Sequence, residues 1–169
     1  MEAIQMRTIT PGGFREAFLA SVDQVPQETL LGAWLNEKAG PFTSFMTYTV
    51  LVRTARALGL NSAQEYKDID TVFYNNAVEE FVVAVEHEND NSHVHESEIP
   101  KLGKYHSALK VLISYPRGED LLTRIAEAVS KMKCDRATWL IILGDRSDAR
   151  RLGWRFYILG DLTRLEELA

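Results

Sequence analysis

Two nearly continuous apolar runs constrain the fold of this chain more than any other feature: KVLISY at residues 110–115 and WLIILG at residues 139–144. Runs of this length and composition are typical of strands that are covered on both faces of a sheet. The segment between them, GEDLLTRIAEAVSKM, has the apolar spacing of an amphipathic helix. This strand–helix–strand order predicts parallel strands in an α/β sheet.

Residues 1–60 have helical spacing instead. Three helices are predicted there, over the segments GGFREAFLASV, PQETLLGAWLNEKAG and TSFMTYTVLVRTARALGLN. Thr43 or Ser44 can cap the third helix, and Gly59 can close it. No linker of low complexity separates this helical part from the rest, so we expect residues 1–169 to form a single domain.

After residue 60 the spacing changes to that of strands. DIDTVFYN and EEFVVAVEHE are rich in β-branched and aromatic residues, and the turn Asn75-Asn76-Ala77 between them predicts a hairpin. SEIPKLGKYH is a short helix candidate with Ser97 as its cap, and GWRFYILGD is a last strand. The whole pattern, with residues 61–169 as the mixed core, predicts an α/β three-layer sandwich: a central mixed β-sheet flanked by helices on both faces.

Composition narrows the classes of partner and compartment. The 169 residues carry a net charge of -5, which argues against tight nonspecific nucleic-acid binding but leaves room for a local basic patch. The single cysteine, Cys134, has no partner for an internal disulfide. No signal peptide and no membrane-spanning run are visible, so we expect a cytoplasmic location and no membrane partner.

Two glutamates follow directly on the apolar run FVVAV at residues 81–85. Alternate residues of a strand point to opposite faces. We therefore expect Val82, Glu86 and Glu88 on one face, and Phe81 and His87 on the other. The glutamates then stand about 7 Å apart along the strand.

The partner strand of the predicted hairpin brings a third acid. Asp70 lies on the face that can approach Glu86 and Glu88, and Asp68 shares its parity and could replace it in another register. Three crowded carboxylates repel one another unless a cation compensates their charge. A hard divalent ion such as Mg²⁺ suits oxygen ligands and can activate water for attack on a phosphate. Solvated acids at a strand end are the alternative interpretation.

The segments KDIDTVFYN, VVAVEHEN, EIPKL and LKVLISYP, in this order, resemble the core of the PD-(D/E)XK nuclease superfamily, which has the restriction-endonuclease-like fold. Asp70 matches the first acid of that motif and Glu86 the second. Glu88 falls where the superfamily usually has lysine, and Lys101 in the following helix could be a displaced equivalent. The resemblance covers roughly residues 43–115.

The resemblance implies a metal-dependent nuclease. Asp70 and Glu86 would bind Mg²⁺ or Mn²⁺, Glu88 would supply a third carboxylate, and Lys101 would orient water or stabilise developing charge. It implies nucleic acid as the partner, with DNA ahead of RNA, and allows a homodimer. Lys110 is a second candidate for the lysine. A non-catalytic module with the same fold, acting in binding or regulation, is the alternative function.

Two other groups of residues suggest different sites. Histidines and an acid near the loop NDNSHVHES could bind Zn²⁺ or Fe²⁺; they are His93, His95, Glu98 and His106. Arginines between the last two predicted strands could contact a nucleic-acid backbone, although Asp145 and Asp148 could also pair with them; they are Arg146, Arg150, Arg151 and Arg155. His87, opposite the acids, is expected to be packed or hydrogen-bonded.

Overall fold

The structure, a computed structural model, describes residues 8–35, 39–89, 94–116, 120–132, 137–145, 151–160 and 164–168. It contains one sheet of seven strands whose spatial order follows the sequence. The strands are β1 Asn61–Tyr66, β2 Ile69–Tyr74, β3 Phe81–Glu88, β4 Leu109–Ser114, β5 Thr138–Asp145, β6 Gly153–Gly160 and β7 Arg164–Glu167. The helices are α1 Pro11–Asp23, α2 Gln27–Leu35, α3 Ala39–Phe45, α4 Leu51–Ala57, α5 Glu98–Gly103 and α6 Leu121–Ser130. A π-helical turn, Met46–Val50, joins α3 to α4, and a 3-10 turn, Val78–Glu80, precedes β3.

The middle of the sheet is parallel and its flanks are antiparallel. β3, β4 and β5 run parallel, with α5 and α6 as the crossovers, while β1, β2, β6 and β7 pair antiparallel with their neighbours. Two successive right-handed crossovers in one direction place both helices on the same face of the sheet. The predicted mixed sheet and the predicted hairpin of β2 with β3 are both confirmed.

Two hydrophobic clusters cover the two faces. The first joins α1, α2, α3 and α4 to one face, through buried residues such as Phe14, Phe18, Val50, Val85 and Ile142. The second joins α5 and α6 to the other, through residues such as Ala84, Ile99, Leu112, Ile125 and Ile141. The three-layer α/β sandwich is therefore confirmed. No helix in the described part of the chain is long and apolar enough to cross a membrane.

The two edge strands were not predicted. β1 reads NSAQEY and β7 reads RLEE, without the apolar alternation of a half-buried strand. Each pairs with a single neighbour, and edge strands of this kind are commonly short and polar. Backbone pairing to β2 and β6 defines them, and a single sequence does not encode that pairing as a pattern.

The prediction that Thr43 or Ser44 caps a helix is wrong. Both lie inside α3, which begins at Ala39 and continues through the π-helical turn into α4. The predicted end of α4 is confirmed, because Gly59 has a φ of 73° and the Leu60 N–H donates to the Ala55 carbonyl at 2.9 Å. A left-handed residue is common just after a helix end and favours glycine.

A β-bulge changes the predicted parity at the start of β3. Phe73 pairs with Val83, but Tyr74 pairs with Phe81, so Val82 is an extra residue on its strand. Val82 consequently packs in the first cluster and Phe81 in the second, the reverse of the prediction. From Val83 onward the alternation follows the predicted parity.

Gly144 in β5 gives a test of the packing on the first face. A Cβ there would lie 2.3 Å from Cδ1 and Cε1 of the Tyr115 ring, which is buried against Phe42 and Trp154. We expect Gly144→Ala to lower the free energy of unfolding by about 1–3 kcal/mol, because the ring has no free space to move into. Urea unfolding measures this. Gly153→Ala is the control, since its nearest neighbour is at 3.6 Å, and an equal loss in both variants would contradict the packing argument.

Candidate active site

The hairpin register brings Asp70 and Glu86 together. Val72 pairs with Ala84 and both belong to the second cluster, so the residues two positions away, Asp70 and Glu86, lie on that same face. Asp70 accepts a hydrogen bond from the backbone N–H of His87, with 2.8 Å between N and Oδ2. The strand pairing thus fixes one carboxylate beside the other, as the sequence predicts.

Helix α5 adds an acid and a lysine to this pair. The Lys101 Nζ lies 2.7 Å from Oε2 of Glu98 and 3.5 Å from Oε2 of Glu86. Glu98 also accepts a hydrogen bond from the Ser97 hydroxyl at 2.9 Å. Glu86 is 1% exposed and Glu98 5%, whereas Lys101 is half-buried. The structure thus brings Lys101 close to Glu98 and Glu86, and its role as the displaced lysine stays a prediction.

Burial dominates the electrostatics of Glu86. Loss of hydration, then a hydrogen bond with Glu98 and the charges of Asp70 and Glu98, raise the pKa of Glu86 to about 10. Burial also raises the pKa of Asp70, against the opposing effect of the His87 N–H. Burial therefore contributes more to the raised pKa of Glu86 than like-charge repulsion from the other acids does.

Glu98 and Lys101 are shifted toward their charged forms. Burial alone would raise the pKa of Glu98, but hydrogen bonds from Glu86, Lys101 and Ser97 outweigh it and hold that pKa below its usual value. Burial would lower the pKa of Lys101, and its hydrogen bond to Glu98 with the nearby acids raises it instead. At neutral pH the site therefore holds a protonated Glu86 beside a Glu98–Lys101 ion pair.

The residue types at this site suit a hard cation. Asp70, Glu86 and Glu98 offer carboxylate oxygens on neighbouring elements, and buried Oε1 of Glu86 accepts no hydrogen bond from the described residues. Within the part of the chain that the structure describes, no three His, Cys, Asp or Glu side chains already have the arrangement of a metal centre. A cation would replace the proton of Glu86 and compete with the Lys101 ammonium, both of which now compensate the acids.

The other predicted acids and Lys110 lie on β3, in the turn before β2 and on β4. Glu88 is the half-buried last residue of β3, paired in register with Ser114, and its role as a third ligand stays a prediction. Asp68 lies in the turn between β1 and β2, where it contacts Lys104 and Tyr105, so it does not replace Asp70. Lys110 is fully buried on β4, with its Nζ 5.4 Å from the centre of the Trp139 ring.

The structure describes three of the four histidines. His87 is buried on the first face, with Nε2 2.8 Å from the Tyr115 hydroxyl, as predicted, and burial lowers its pKa to about 3. His95 lies 3.7 Å from Glu96, and His106 is exposed after α5. His93 lies outside the described residues. Glu98 lies beside Lys101, and with His93 outside the described residues the histidine site that the sequence suggested as an alternative stays a prediction.

The predicted arginine cluster is described only in part. Arg151 and Arg155 are exposed, and Nε of Arg155 lies 3.9 Å from the Asp145 carboxylate. Arg146 and Arg150 lie outside the described residues, as does Cys134. The pairing of Arg155 agrees with the acid-paired alternative for this segment.

Glu98 is a site residue that the motif resemblance does not include. Its position in the chain groups it with His93 and His95, whereas the structure places it beside Lys101. The available signal was its spacing of three residues from Lys101, which puts both side chains on one face of a helix.

Comparisons with protein-family models, curated proteins and solved structures find no match for this chain.

Proposed function

We propose that this protein is a metal-dependent nuclease that hydrolyses phosphodiester bonds of nucleic acid. One observation carries the proposal: Lys101, on the helix after β3, reaches 3.5 Å from the buried Glu86 carboxyl, beside Asp70 on the paired strand. In the motif that the chain resembles, a lysine stands at the position that Glu88 occupies here. The Lys101 ammonium would supply the positive charge of that lysine. The restriction-endonuclease-like assignment of the fold belongs to the same proposal.

The proposed roles follow from the chemistry of each group. Asp70 and Glu86 would hold Mg²⁺ or Mn²⁺, with Glu98 or Glu88 as a further carboxylate, and the ion would polarise the phosphate and activate water. Lys101 would orient that water or stabilise the charge that develops on the phosphate oxygens. The ordered N–H of His87 keeps Asp70 in place for this task.

A non-catalytic module for binding or regulation is the second candidate. It is favoured by the charge state of the site: the proton on Glu86 and the Lys101 ammonium already compensate the acids, so the cluster is stable without an ion. Hydrogen bonds link Lys101 to both glutamates, and a buried polar network of this kind can serve a structural role although Oε1 of Glu86 has no partner among the described residues. The two candidates differ in whether a divalent ion displaces the proton.

The direct test combines metal binding with cleavage. We expect calorimetry to detect Mn²⁺ binding to the wild-type protein with proton release, and plasmid DNA, single-stranded DNA or RNA to be cut with Mg²⁺ or Mn²⁺ but not with EDTA. DNA is the proposed substrate ahead of RNA. Sedimentation of the same sample tests the homodimer. Absence of both metal binding and cleavage would refute the nuclease and leave the non-catalytic module.

A further inference from the structure

A patch of aromatic and basic side chains lies where the turn between β1 and β2 meets the end of α5. We define the tyrosine–lysine patch as Tyr66, Lys67, Lys104 and Tyr105. Lys67 Nζ lies 5.2 Å from the centre of the Tyr66 ring and 5.6 Å from that of Tyr105. Both rings pack edge-on against Phe81, at 6.2 and 6.0 Å between ring centres, so the hydrophobic core supports them from beneath.

The backbone conformation around the turn positions Lys67 near the two tyrosine rings and directs the Glu65 side chain away from them. Lys67 has a φ of 58° and Glu65 a φ of 51°, a left-handed conformation that is uncommon outside glycine. The Glu65 carboxylate accepts a hydrogen bond from the Tyr48 hydroxyl at 2.9 Å, on the π-helical turn of the first face. Conformations of this kind are costly and concentrate at functional sites. Here they leave a lysine, and no glutamate, over the two rings.

The charges of the patch are exposed and exchangeable. Lys67 is exposed, and the Lys104 side chain is 62% exposed with its Nζ 3.4 Å from an Asp68 carboxylate that is 44% exposed. Exposed ion pairs and exposed cation–π contacts are weak, so both ammonium groups can leave these partners for a phosphate. The patch carries two lysines, with Asp68 as the partner of one of them, in a protein whose net charge is -5.

We propose that the tyrosine–lysine patch binds a single-stranded segment of nucleic acid, with one base stacked on the tyrosine rings and the adjoining phosphate on Lys67 and Lys104. Aromatic faces beside exposed cations are the common means of holding unpaired bases without reading their sequence. A base would take the place of the Lys67 side chain over the rings, and the freed ammonium would move to the phosphate.

The position of the patch relates it to the acids. Lys104 is the residue that caps the end of α5, three residues after Lys101, which is about 4.5 Å of rise. Asp68 precedes Asp70 by two residues in the turn that leads into β2. A strand bound on the patch can therefore run toward Glu86. Its role as the substrate strand rests on the proposed nuclease function, whereas its binding does not.

Binding is tested without metal, so that cleavage cannot interfere. A fluorescein-labelled 12-nucleotide oligo-dT is titrated in EDTA at two salt concentrations, and anisotropy gives the dissociation constant. We expect Tyr105→Leu to weaken binding about tenfold, because a stacked base is lost while the contact with Phe81 stays apolar. Tyr105→Phe, which keeps the ring, should bind like the wild type. Lys67→Gln should weaken binding and reduce the salt slope by about one.

Arg56→Gln is the matched control, because Arg56 is exposed on α4 at the other face of the sheet. Circular dichroism checks that each variant is folded. The patch is rejected if the wild type does not bind the oligonucleotide, or if Tyr105→Leu and Lys67→Gln bind it as tightly as the wild type. Oligonucleotide binding that depends on the patch, with no cleavage in any metal, would reject the nuclease alone. Cleavage that is indifferent to both substitutions would reject the patch as the place where the substrate strand binds.

Discussion

Glu86→Gln is expected to reduce metal-dependent cleavage by more than about 100-fold. The amide keeps the shape of the side chain but removes the charge that a hard cation needs. Substitution of residues that only hydrogen-bond to the ligands of a metal already lowers metal affinity or activity about 10–100-fold, so loss of a ligand should cost more. Lys101 keeps its 2.7 Å contact with Glu98, so the substitution does not leave the ammonium unpaired. Initial rates on plasmid DNA with Mg²⁺ and with Mn²⁺ measure the effect.

The same substitution is expected to stabilise the metal-free protein. Glu86 has a pKa of about 10 when folded, against 4.5 for a free glutamate. Below pH 4.5 Glu86 is protonated in both the folded and the unfolded protein, and its protonation does not lower the free energy of unfolding. As the pH rises from 4.5 toward 10, Glu86 loses its proton in the unfolded chain but keeps it in the folded protein, so the free energy of unfolding falls. Glutamine does not titrate. The free energy of unfolding of Glu86→Gln should therefore exceed that of the wild type by at least about 1 kcal/mol at pH 8 and by little at pH 4.

Urea unfolding in EDTA from pH 4 to pH 9 checks this pH dependence. Glu79→Gln is the matched control, because Glu79 is exposed in the 3-10 turn before β3 and should show no such trend. Cleavage by Glu86→Gln at the wild-type rate would place the activity outside this site. A variant that is less stable than the wild type at pH 8 would contradict the expectation that rests on the raised pKa of Glu86.

Lys101→Ala is expected to slow cleavage by about 100-fold while Mn²⁺ still binds. Removing one group that stabilises transition-state charge commonly costs 10²–10³ in rate. The ion itself does not need the ammonium, which competes with it for the carboxylates of Glu86 and Glu98. The expected signature is therefore a large fall in the cleavage rate, with a dissociation constant for Mn²⁺ that is unchanged or lower.

Lys101→Arg keeps the charge and should recover part of the rate, although a planar guanidinium differs from a compact ammonium. Arg56→Ala removes a positive charge on the other face of the sheet and should leave the rate unchanged. Wild-type cleavage by Lys101→Ala would contradict the role of this lysine. Loss of Mn²⁺ binding would instead show that Lys101 maintains the shape of the site.

The sequence by itself determined the central strands and the faces of β3 on which Glu86 and His87 lie. Apolar runs such as KVLISY and WLIILG mark strands that are covered on both faces, because burial selects apolar residues at every position of a strand in the middle layer. The period of two in β3 then placed Glu86 on one face and His87 on the other. Both properties are local, since they depend only on the spacing of residues along one strand.

Only the tertiary structure decided which other groups join Glu86. Glu98 and Lys101 reach it because α5 packs on β3 and β4 as a crossover, and the distance across that contact depends on side chains far apart in the chain. The edge strands and the bulge at Val82 depend likewise on pairing with a neighbour. Backbone hydrogen bonds between strands are nearly independent of side-chain type, so these features leave no periodic signal in the sequence.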